Sequence, residues 1–596
     1  MSSFAETFLG QHILTIVIFL PIVGAVVLFS RFSWDAEKTR SWSLGIALFT
    51  LIFAGAAMAL FIDLRDTNGN APGGTLLVER HEWITGQAVD GGGAIQIQYS
   101  VGADGISLSL LLLTAFLTPL AIWGSFTDVK DRHREYYSLM LLLFGSMLGV
   151  FCAQDLLLFY VFFEFTLLPL YFLIGIWGGP QREKAANMFF IYTLAGSMLT
   201  FAGVLYLGWK ASQHFGVFTL ELDKLYELAA AGALSPAEQW WLFLAFFAGF
   251  AIKVPLFPLH TWLPLAHTEA PTAGSVILAA VLLKLGTYGF LRFSLPMLPH
   301  AALAWAPLLG WLAVAGIIYG AVAARVQSDI KKLVAYSSVS HLGFCLLGMF
   351  SLKMAGLTGS LLYMVNHGLS TGALFLVVGM IYERYHTREL ADLGGLARRM
   401  PILAFFLMVF TMSSIGLPGL NGFVSEFLVL LGTFTSGKAN AAGFVGPLGV
   451  WYAVPAATGI LLGAIYMLSM VRGVLFGPVK EPAHGCDTSA GLTQDLTRRE
   501  IGILAPIACA CLLLGVYPKI ATDIMNPALE QAVLAKVHQA HKADSPPAQV
   551  GPRTVAAAPA APSQDRASPT ERRTTTAEGR PSVGLADDRL SASRDD

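Results

Sequence analysis

Charged residues are scarce in this sequence. Asp, Glu, Lys and Arg make up 13% of its 596 residues, against 55% for hydrophobic residues, whereas a soluble protein carries about 25% charged residues. The formal net charge is only -1, and a nucleic-acid partner would require a clustered basic surface. The composition therefore argues against a soluble domain and against a nucleic-acid partner, and it favours a protein embedded in the lipid bilayer.

Cysteine is sparse as well, and its spacing does not suit a metal centre. The five cysteines are Cys152, Cys345, Cys486, Cys509 and Cys511. None forms a Cys-x-x-Cys motif, and Cys509 and Cys511 face different directions on a helix because they are two residues apart. The sequence also lacks a G-x-G-x-x-G turn between a strand and a helix. We therefore expect no iron–sulfur cluster, no metal and no NADH in this chain.

Long apolar runs are what the sequence does contain. A membrane-spanning helix needs about 20 apolar residues, and about fourteen stretches reach that length. They cover residues 12–30, 42–62, 104–125, 136–153, 155–175, 184–209, 240–263, 271–294, 302–324, 332–351, 355–382, 401–431, 451–476 and 500–518. The first run has neither a basic start nor a small-residue cleavage site, so we interpret it as a span rather than a signal peptide. The predicted fold is an all-α polytopic membrane protein.

The distribution of basic residues predicts the orientation of these spans. Alternate loops carry about nineteen Lys and Arg residues, and the loops between them carry about seven, one of which is Arg292. Cytoplasmic loops are the ones enriched in Lys and Arg. The N-terminus is therefore predicted to be periplasmic, and so is the C-terminus after an even number of spans.

Several ionisable residues lie inside the predicted spans. Each costs about 2.5–3.5 kcal/mol at the bilayer centre, and such residues usually mark ion or proton pathways. They are Glu164, Lys253, Lys284, His341, His367 and Glu426. Burial disfavours the charged form of either partner in a Glu–Lys pair, so a pair that alternately forms and breaks would take up and release a proton.

Two of the predicted spans are interrupted by helix-breaking residues. Pro255 and Pro258 follow Lys253 closely, and Pro418 lies among Gly416, Gly419 and Gly422. Proline removes a backbone donor and clashes with the preceding turn, so spans seven and twelve should be broken within the membrane. Broken helices in corresponding positions of two halves are typical of transporters built from inverted repeats. An offset of five spans gives the two halves opposite orientations, as an inverted repeat requires.

These motifs resemble a known family, the antiporter-like membrane-arm subunits of respiratory complex I, called chain M in bacteria and subunit 4 in mitochondria. The resemblance covers about residues 100–480. It rests on the segments 159–177, 251–292 (with His-Thr-Trp-Leu-Pro at 260–264 and His-Thr-Glu-Ala-Pro-Thr-Ala-Gly-Ser at 267–275), 336–341, 366–368 and 416–426. One departure is Leu265, where many relatives carry a charged residue after Trp-Leu-Pro.

The resemblance implies two inverted five-helix bundles, with broken helices 7 and 12, and a proton relay along the membrane midplane. In that relay Glu164 would pair with Lys253, and Lys284 would be the central lysine. His341 and His367 would bridge to the second half, and Glu426 would lie near the outer exit. Quinone reduction in another subunit would supply the energy by shifting the Glu164–Lys253 pair.

The resemblance also implies partners and a location. The chain would bind other membrane-arm subunits of complex I, including neighbouring antiporter-like subunits, in the bacterial inner membrane. NADH, FMN, iron–sulfur clusters and quinone would be bound by partner subunits, with no cofactor in this chain. Two alternatives share these helices or topology: a subunit of a multisubunit cation/proton antiporter or membrane-bound hydrogenase, and a scaffold that does not pump.

We expect the chain to be organised in five parts. Residues 1–103 would hold the first membrane helices and an outside loop, 104–300 the first antiporter-like half, 301–480 the second half and 481–538 a C-terminal membrane helix. Residues 539–596 are rich in Ala, Pro, Ser, Thr, Arg and Asp, a composition that buries too little apolar surface to fold, so a disordered tail is predicted.

Overall fold

Helices dominate the computed structural model, because backbone in lipid must satisfy its own hydrogen bonds. The structure describes residues 8–31, 33–67, 74–87, 94–439, 443–480 and 494–544. Within those ranges, 12 helices are long and apolar enough to cross a membrane. They are Ile13–Ser30, Ala36–Thr67, Gly105–Gly124, His133–Cys152, Leu156–Trp177, Arg182–Phe215, Thr272–Met297, Pro299–Arg325, Ile330–Phe350, Met354–Tyr385, Val450–Leu475 and Arg498–Val516. The polytopic all-α fold is confirmed.

The two remaining predicted spans, 240–263 and 401–431, are each divided into two shorter helices. The first broken segment consists of Pro236–Lys253 and Trp262–Glu269. The second consists of Pro401–Ser414 and Asn421–Ser436. Gly416 and Gly419 take φ values of 73° and 94° between the second pair of helices, a conformation that glycine adopts without a steric penalty. The interruptions fall where Pro and Gly predict them, while the inverted relation of the two halves stays a prediction.

Two of the spanning helices are irregular where no break was predicted. Leu156–Trp177 is made of Leu156–Phe165 and Leu167–Trp177, which meet at Thr166. The span Thr272–Met297 alternates between α-helical and π-helical turns, and its pieces are Thr272–Ile277, Leu278–Leu282 (π), Leu283–Gly289, Phe290–Ser294 (π) and Leu295–Met297. Single π-helical turns are frequent at functional sites. Pro169 lies three residues after Thr166 and cannot donate the hydrogen bond to Phe165 that a continuous helix would form.

The loops predicted to lie outside contain secondary structure of their own. The strands Leu76–Gln87 and Ala94–Ala103 form an antiparallel hairpin, and Val217–Thr219 adds a parallel third strand. Shorter helices complete the described chain: Phe8–Gln11, Leu222–Ala230, Leu396–Arg399, Lys519–Leu529, the π-helical turn Glu530–Leu534 and Ala535–Asp544. The chain is thus helical to Asp544, past the predicted start of the tail at 539, and the rest of that tail lies outside the described residues.

The most deeply buried helices are those that carry the polar residues. The apolar windows of Thr272–Met297 and Met354–Tyr385 are 100% buried, whereas the windows of Ala36–Thr67 and Arg498–Val516 are 33% and 28% buried. The first two helices contain Lys284 and His367, and the other two present their apolar side chains outward. Burial therefore separates a central layer that can hold charge from a periphery that suits contact with lipid.

Backbone contact between glycines sets the spacing of two central helices. A Cβ atom on Gly432 would lie 2.3 Å from the backbone nitrogen of Gly356 and 2.4 Å from its Cα atom. Since Gly432 lies on Asn421–Ser436 and Gly356 on Met354–Tyr385, only glycine at position 432 permits this approach. The same two helices carry Glu426 and His367.

Replacing Gly432 with Ala should therefore destabilise the protein. Overpacking of this kind costs about 1–3 kcal/mol, and the midpoint of thermal unfolding in detergent should fall. The matched control is Gly55→Ala, because nothing lies within 4 Å of a Cβ atom at Gly55. Equal unfolding midpoints for the two variants would show that the Gly432–Gly356 contact does not control packing.

Candidate functional site

Lys284 and His367 form the centre of a buried polar row. The Lys284 side chain is 0% exposed, and its ammonium donates to the Ala279 carbonyl at 2.6 Å. The same Nζ atom lies 2.7 Å from Nδ1 of His367. Lys284 is the second residue after the π-helical turn Leu278–Leu282, and such a turn interrupts the regular hydrogen-bond ladder. A lysine buried among apolar helices is thus held by one carbonyl and one imidazole.

The row continues from His367 to Glu426 through a second histidine and a tyrosine. The rings of His367 and His341 are 5.6 Å apart between centroids. Nδ1 of His341 lies 2.5 Å from the Tyr363 hydroxyl, which donates to Oε1 of Glu426 at 2.8 Å. Because that hydroxyl donates to the carboxylate, it accepts from the imidazole. We call Lys284, His367, His341, Tyr363 and Glu426 the polar row.

The other face of His341 is also occupied. Its Nε2 atom lies 3.3 Å from the Ser414 hydroxyl and 3.4 Å from the Tyr466 hydroxyl. With Nδ1 protonated towards Tyr363, Nε2 carries the lone pair that these hydroxyls can reach. His341 can therefore accept a proton at one nitrogen and release another from its opposite nitrogen, as a relay requires.

The break in the second broken segment positions Glu426. Asn366 donates to the Asn421 carbonyl at 2.7 Å and to the Ser425 hydroxyl at 3.1 Å. The Ser413 hydroxyl donates to the Asn421 side chain across the interruption. Gly416 leaves room for the carboxylate, since a Cβ atom there would lie 2.3 Å from Oε2 of Glu426. Pro418 and its flanking glycines thus open the backbone where the row ends.

Glu164 and Lys253 lie at the opposite end of the site, where they are close but not paired. Lys253 is 2% exposed, and its Nζ atom donates to the Thr166 hydroxyl at 3.3 Å and lies 4.6 Å from the centre of the Phe163 ring. Glu164 is near enough for electrostatic interaction with Lys253, yet these two described residues form no ion pair within 4.0 Å. The implied pair is therefore open in this structure.

A gap separates this lysine end from the polar row. No hydrogen bond between described residues joins Lys253 to Lys284, although their helices touch. At Gly286, a Cβ atom would lie 2.6 Å from the Phe250 carbonyl. A proton passing from Lys253 to Lys284 would need bridging water, which can link polar groups across such a separation.

Neutral hydroxyls are the functional groups that the sequence reasoning missed. Tyr363, Ser414, Tyr466 and Thr166 each contact a predicted site residue, but none carries a charge that stands out in an apolar run. Tyr363 precedes His367 by four residues, so the two share one face of a helix. That spacing was the signal available in the sequence.

A buried ion pair lies apart from the row. Arg292 Nη2 is 2.7 Å from Asp104 Oδ1, with side chains 3% and 1% exposed. Arg292 also donates to the Ser107 hydroxyl at 3.0 Å, and Asp104 accepts from the backbone of Ile106 and Ser107. Counting Arg292 among the loop residues was therefore wrong, because it lies within the span Thr272–Met297 and is neutralised there.

Replacing Asp104 with Ala should destabilise the protein strongly. It would leave the Arg292 guanidinium buried without its carboxylate, which costs about 3–5 kcal/mol, and remove a helix cap. The control is Glu227→Ala, which breaks the exposed Lys224–Glu227 pair at a cost of about 0–1 kcal/mol. Thermal unfolding in detergent measures both, and similar midpoints would contradict this account of the pair.

The fold and the row together define an antiporter-like polytopic membrane protein. Residues 153–448, which include all six predicted site residues, match the family described as "NADH:quinone oxidoreductase/Mrp antiporter, TM". A chain in the structure of respiratory complex I from Thermus thermophilus with bound NADH is 31% identical, with a TM-score of 0.72, over 88% of this chain and 99% of that one.

Curated relatives narrow the class further. NADH-quinone oxidoreductase subunit M of Rhodobacter capsulatus is 42% identical over 88% of this chain and 96% of that protein. NADH-ubiquinone oxidoreductase chain 4 of Marchantia polymorpha is 39% identical over 87% of this chain and 96% of that protein. The chain belongs to the family of NADH-quinone oxidoreductase subunit M and NADH-ubiquinone oxidoreductase chain 4.

The fold is shared more widely than this family. The Mrp complex of a Dietzia species contains a chain with a TM-score of 0.72, which covers 89% of this chain and 100% of that one at 20% identity. At that identity the likeness concerns the fold alone.

Proposed function

We propose that this chain is a proton-translocating membrane subunit of NADH–quinone oxidoreductase. The observation that carries the proposal is the polar row, in which the buried side chains of Lys284, His367, His341, Tyr363 and Glu426 follow one another. Buried ionisable groups in a membrane protein are expensive and mark proton relays. If the only role of these five positions were packing, apolar side chains would serve there at a lower cost.

A proton would cross the row by successive hydrogen-bond exchanges. Lys284 donates to Nδ1 of His367, whose Nε2 atom is buried and lacks a hydrogen-bond partner among the described residues. A proton released there would reach His341 through the short space between the two rings. Tyr363 would then pass it to Glu426 by accepting from His341 and donating to the carboxylate.

The open Glu164–Lys253 pair would control the loading of the row. When the two groups approach, the carboxylate stabilises the protonated lysine; when they separate, the buried ammonium is left with Thr166 and the Phe163 ring. An unpaired buried charge is costly, so separation favours transfer of its proton towards Lys284. Quinone reduction in another subunit would drive this exchange.

Uptake from the cytoplasmic side would occur beside Lys331. A cavity of about 190 Å³ borders Lys331 and Arg388, and these two residues donate to the Ala270 and Thr268 carbonyls at 2.6 and 2.8 Å. The adjacent His267 is 0% exposed, and it interacts electrostatically with both Lys331 and Lys284. These groups would connect the cavity to the polar row, so that no charged residue would be needed at position 265, where this chain has Leu265.

The surroundings of the chain follow from the same proposal. It would lie in the bacterial inner membrane with its N-terminus periplasmic, against other membrane-arm subunits that include further antiporter-like chains. NADH, FMN, iron–sulfur clusters and quinone would be bound by partner subunits, and this chain would hold no redox active site. Co-purification with flavin and iron–sulfur subunits would separate this role from that of a cation/proton antiporter or a membrane-bound hydrogenase.

Replacing Lys284 with Ala should abolish most proton pumping. Loss of a positioned proton-transfer group typically costs a factor of about 10² or more, so both pumping and NADH–quinone turnover should fall at least about tenfold in membranes. Lys332→Ala, which removes an exposed lysine, is the control and should leave both unchanged. Full activity in assembled Lys284→Ala complex would support the non-pumping scaffold instead.

Replacing Tyr363 with Phe should slow the same reactions while the fold is kept. The substitution removes only the hydroxyl that joins His341 to Glu426, and water can substitute for it in part, so a several-fold loss is expected. Tyr452→Phe, which removes a hydroxyl outside the row, should have no effect. Equal rates in the two variants would show that protons do not pass through Tyr363.

A further inference from the structure

Two histidines and a glutamate meet at the start of the first long helix, far along the chain from the polar row. His12 precedes the helix Ile13–Ser30, and Glu79 and His81 lie on the strand Leu76–Gln87. One nitrogen of each imidazole and one carboxylate oxygen all lie within 4.8 Å of one another. Glu79 and His81 are two residues apart, so both side chains point to the same face of the strand.

We propose that His12, Glu79 and His81 bind a divalent transition metal ion, with Zn²⁺ as the ion of choice. Two imidazoles and one carboxylate are a ligand set that zinc uses when it keeps a fourth position for water. The expectation of no metal in this chain rested on the spacing of its cysteines, and this site contains no cysteine.

The spacing of the donor atoms suits such an ion. Nδ1 of His12 lies 3.1 Å from Oε2 of Glu79, while two ligands at about 2.0–2.1 Å in a tetrahedral site lie about 3.3 Å apart. His81 is the exposed member of the group, and a rotation of its ring would bring its nitrogen to the same ion. Two ligands are therefore already near their required separation, and the third is free to close the site.

The neighbouring groups hold the carboxylate in place. Oε1 of Glu79 accepts from the backbone nitrogen of Thr15 at 3.2 Å, and Oε2 accepts from the Thr15 hydroxyl at 2.6 Å. That hydroxyl also lies 2.8 Å from the hydroxyl of Tyr99, the cross-strand partner of His81. Such outer contacts orient metal ligands. Glu79 is buried at 5% exposure, and these contacts fix the position of its carboxylate.

Access and charge favour a cation at this position. The side chain of His12 is 29% exposed, and the ring of His81 stacks beside it with centroids 5.9 Å apart. Arg80 lies between the two strand ligands in sequence, but its guanidinium binds Glu221 and Asp223 at 3.0 and 2.7 Å. The bound ion would clamp the first long helix to the hairpin on the predicted periplasmic face.

The test is the binding of Zn²⁺ alone to the complex that contains this chain, measured by equilibrium dialysis after treatment with a chelator. The wild type should bind one Zn²⁺ per chain more than the double variant His12→Ala/His81→Ala. Each single variant should weaken that site by more than about tenfold, and zinc X-ray absorption should lose the signal of two imidazole ligands in the double variant.

The matched control is His214→Ala, which removes another exposed histidine from the same predicted side of the membrane. It should bind Zn²⁺ as the wild type does. Because His81 is exposed, the His81→Ala variant should unfold at the same temperature as the wild type. That result would show that the hairpin is intact in the variant. Equal Zn²⁺ stoichiometry and affinity in the wild type and the double variant would overturn the proposal, and so would loss of the extra ion in His214→Ala.

Discussion

A polar group in the hydrocarbon layer must find its partner inside the protein, and this constraint organises the whole structure. Backbone groups meet it by forming helices. Charged side chains meet it through specific partners, as where Lys284 reaches both a carbonyl and an imidazole. Arg292 meets the same demand through Asp104. The π-helical turn Leu278–Leu282 lies close to Lys284, and the π-helical turn Phe290–Ser294 contains Arg292.

The breaks and π-helical turns are part of how the site is assembled. Thr166 lies where two helices meet, and its hydroxyl accepts from Lys253. Gly416 and Gly419 adopt positive φ at the second break, and the space beside Gly416 is filled by the Glu426 carboxylate. A continuous α-helix through Thr166 or through Gly416 would change the space that the Lys253 and Glu426 side chains now occupy. Irregular backbone of this kind is tolerated in a membrane only inside protein.

The features that could be predicted from the sequence are those that change the local hydropathy or interrupt a helix. Fourteen hydrophobic segments stand out because each needs about 20 apolar residues, and Pro255, Pro258 and Pro418 mark the breaks because proline cannot continue a helix. The six ionisable residues were visible against apolar surroundings. Tyr363 and Thr166 were not, since a hydroxyl changes hydropathy little. The Asp104–Arg292 pair and the partners of His12 depend on contacts between distant segments, which no local pattern encodes.

The structure divides the proposed path into a connected half and an unconnected half. Hydrogen bonds join Lys284 to His367 and His341 to Glu426 through Tyr363, with the two imidazole rings 5.6 Å apart between centroids. Among the described residues, the polar or aromatic neighbours of the Lys253 ammonium are Thr166, the Phe163 ring and Glu164. Coupling to a distant reaction requires an element with two arrangements that the reaction can bias. The open Glu164–Lys253 pair is such an element, because its closure would change the charge next to the gap before Lys284.

The most direct test of this account is proton pumping measured together with NADH–quinone turnover in membranes that carry Lys253→Ala, with assembly checked by co-purification. Lys210→Ala is the matched control, since Lys210 pairs with Glu238 at 2.9 Å near the end of its helix. The account predicts an assembled complex in which Lys253→Ala sharply lowers both activities and Lys210→Ala lowers neither. Undiminished pumping and turnover in the assembled Lys253→Ala complex would contradict it.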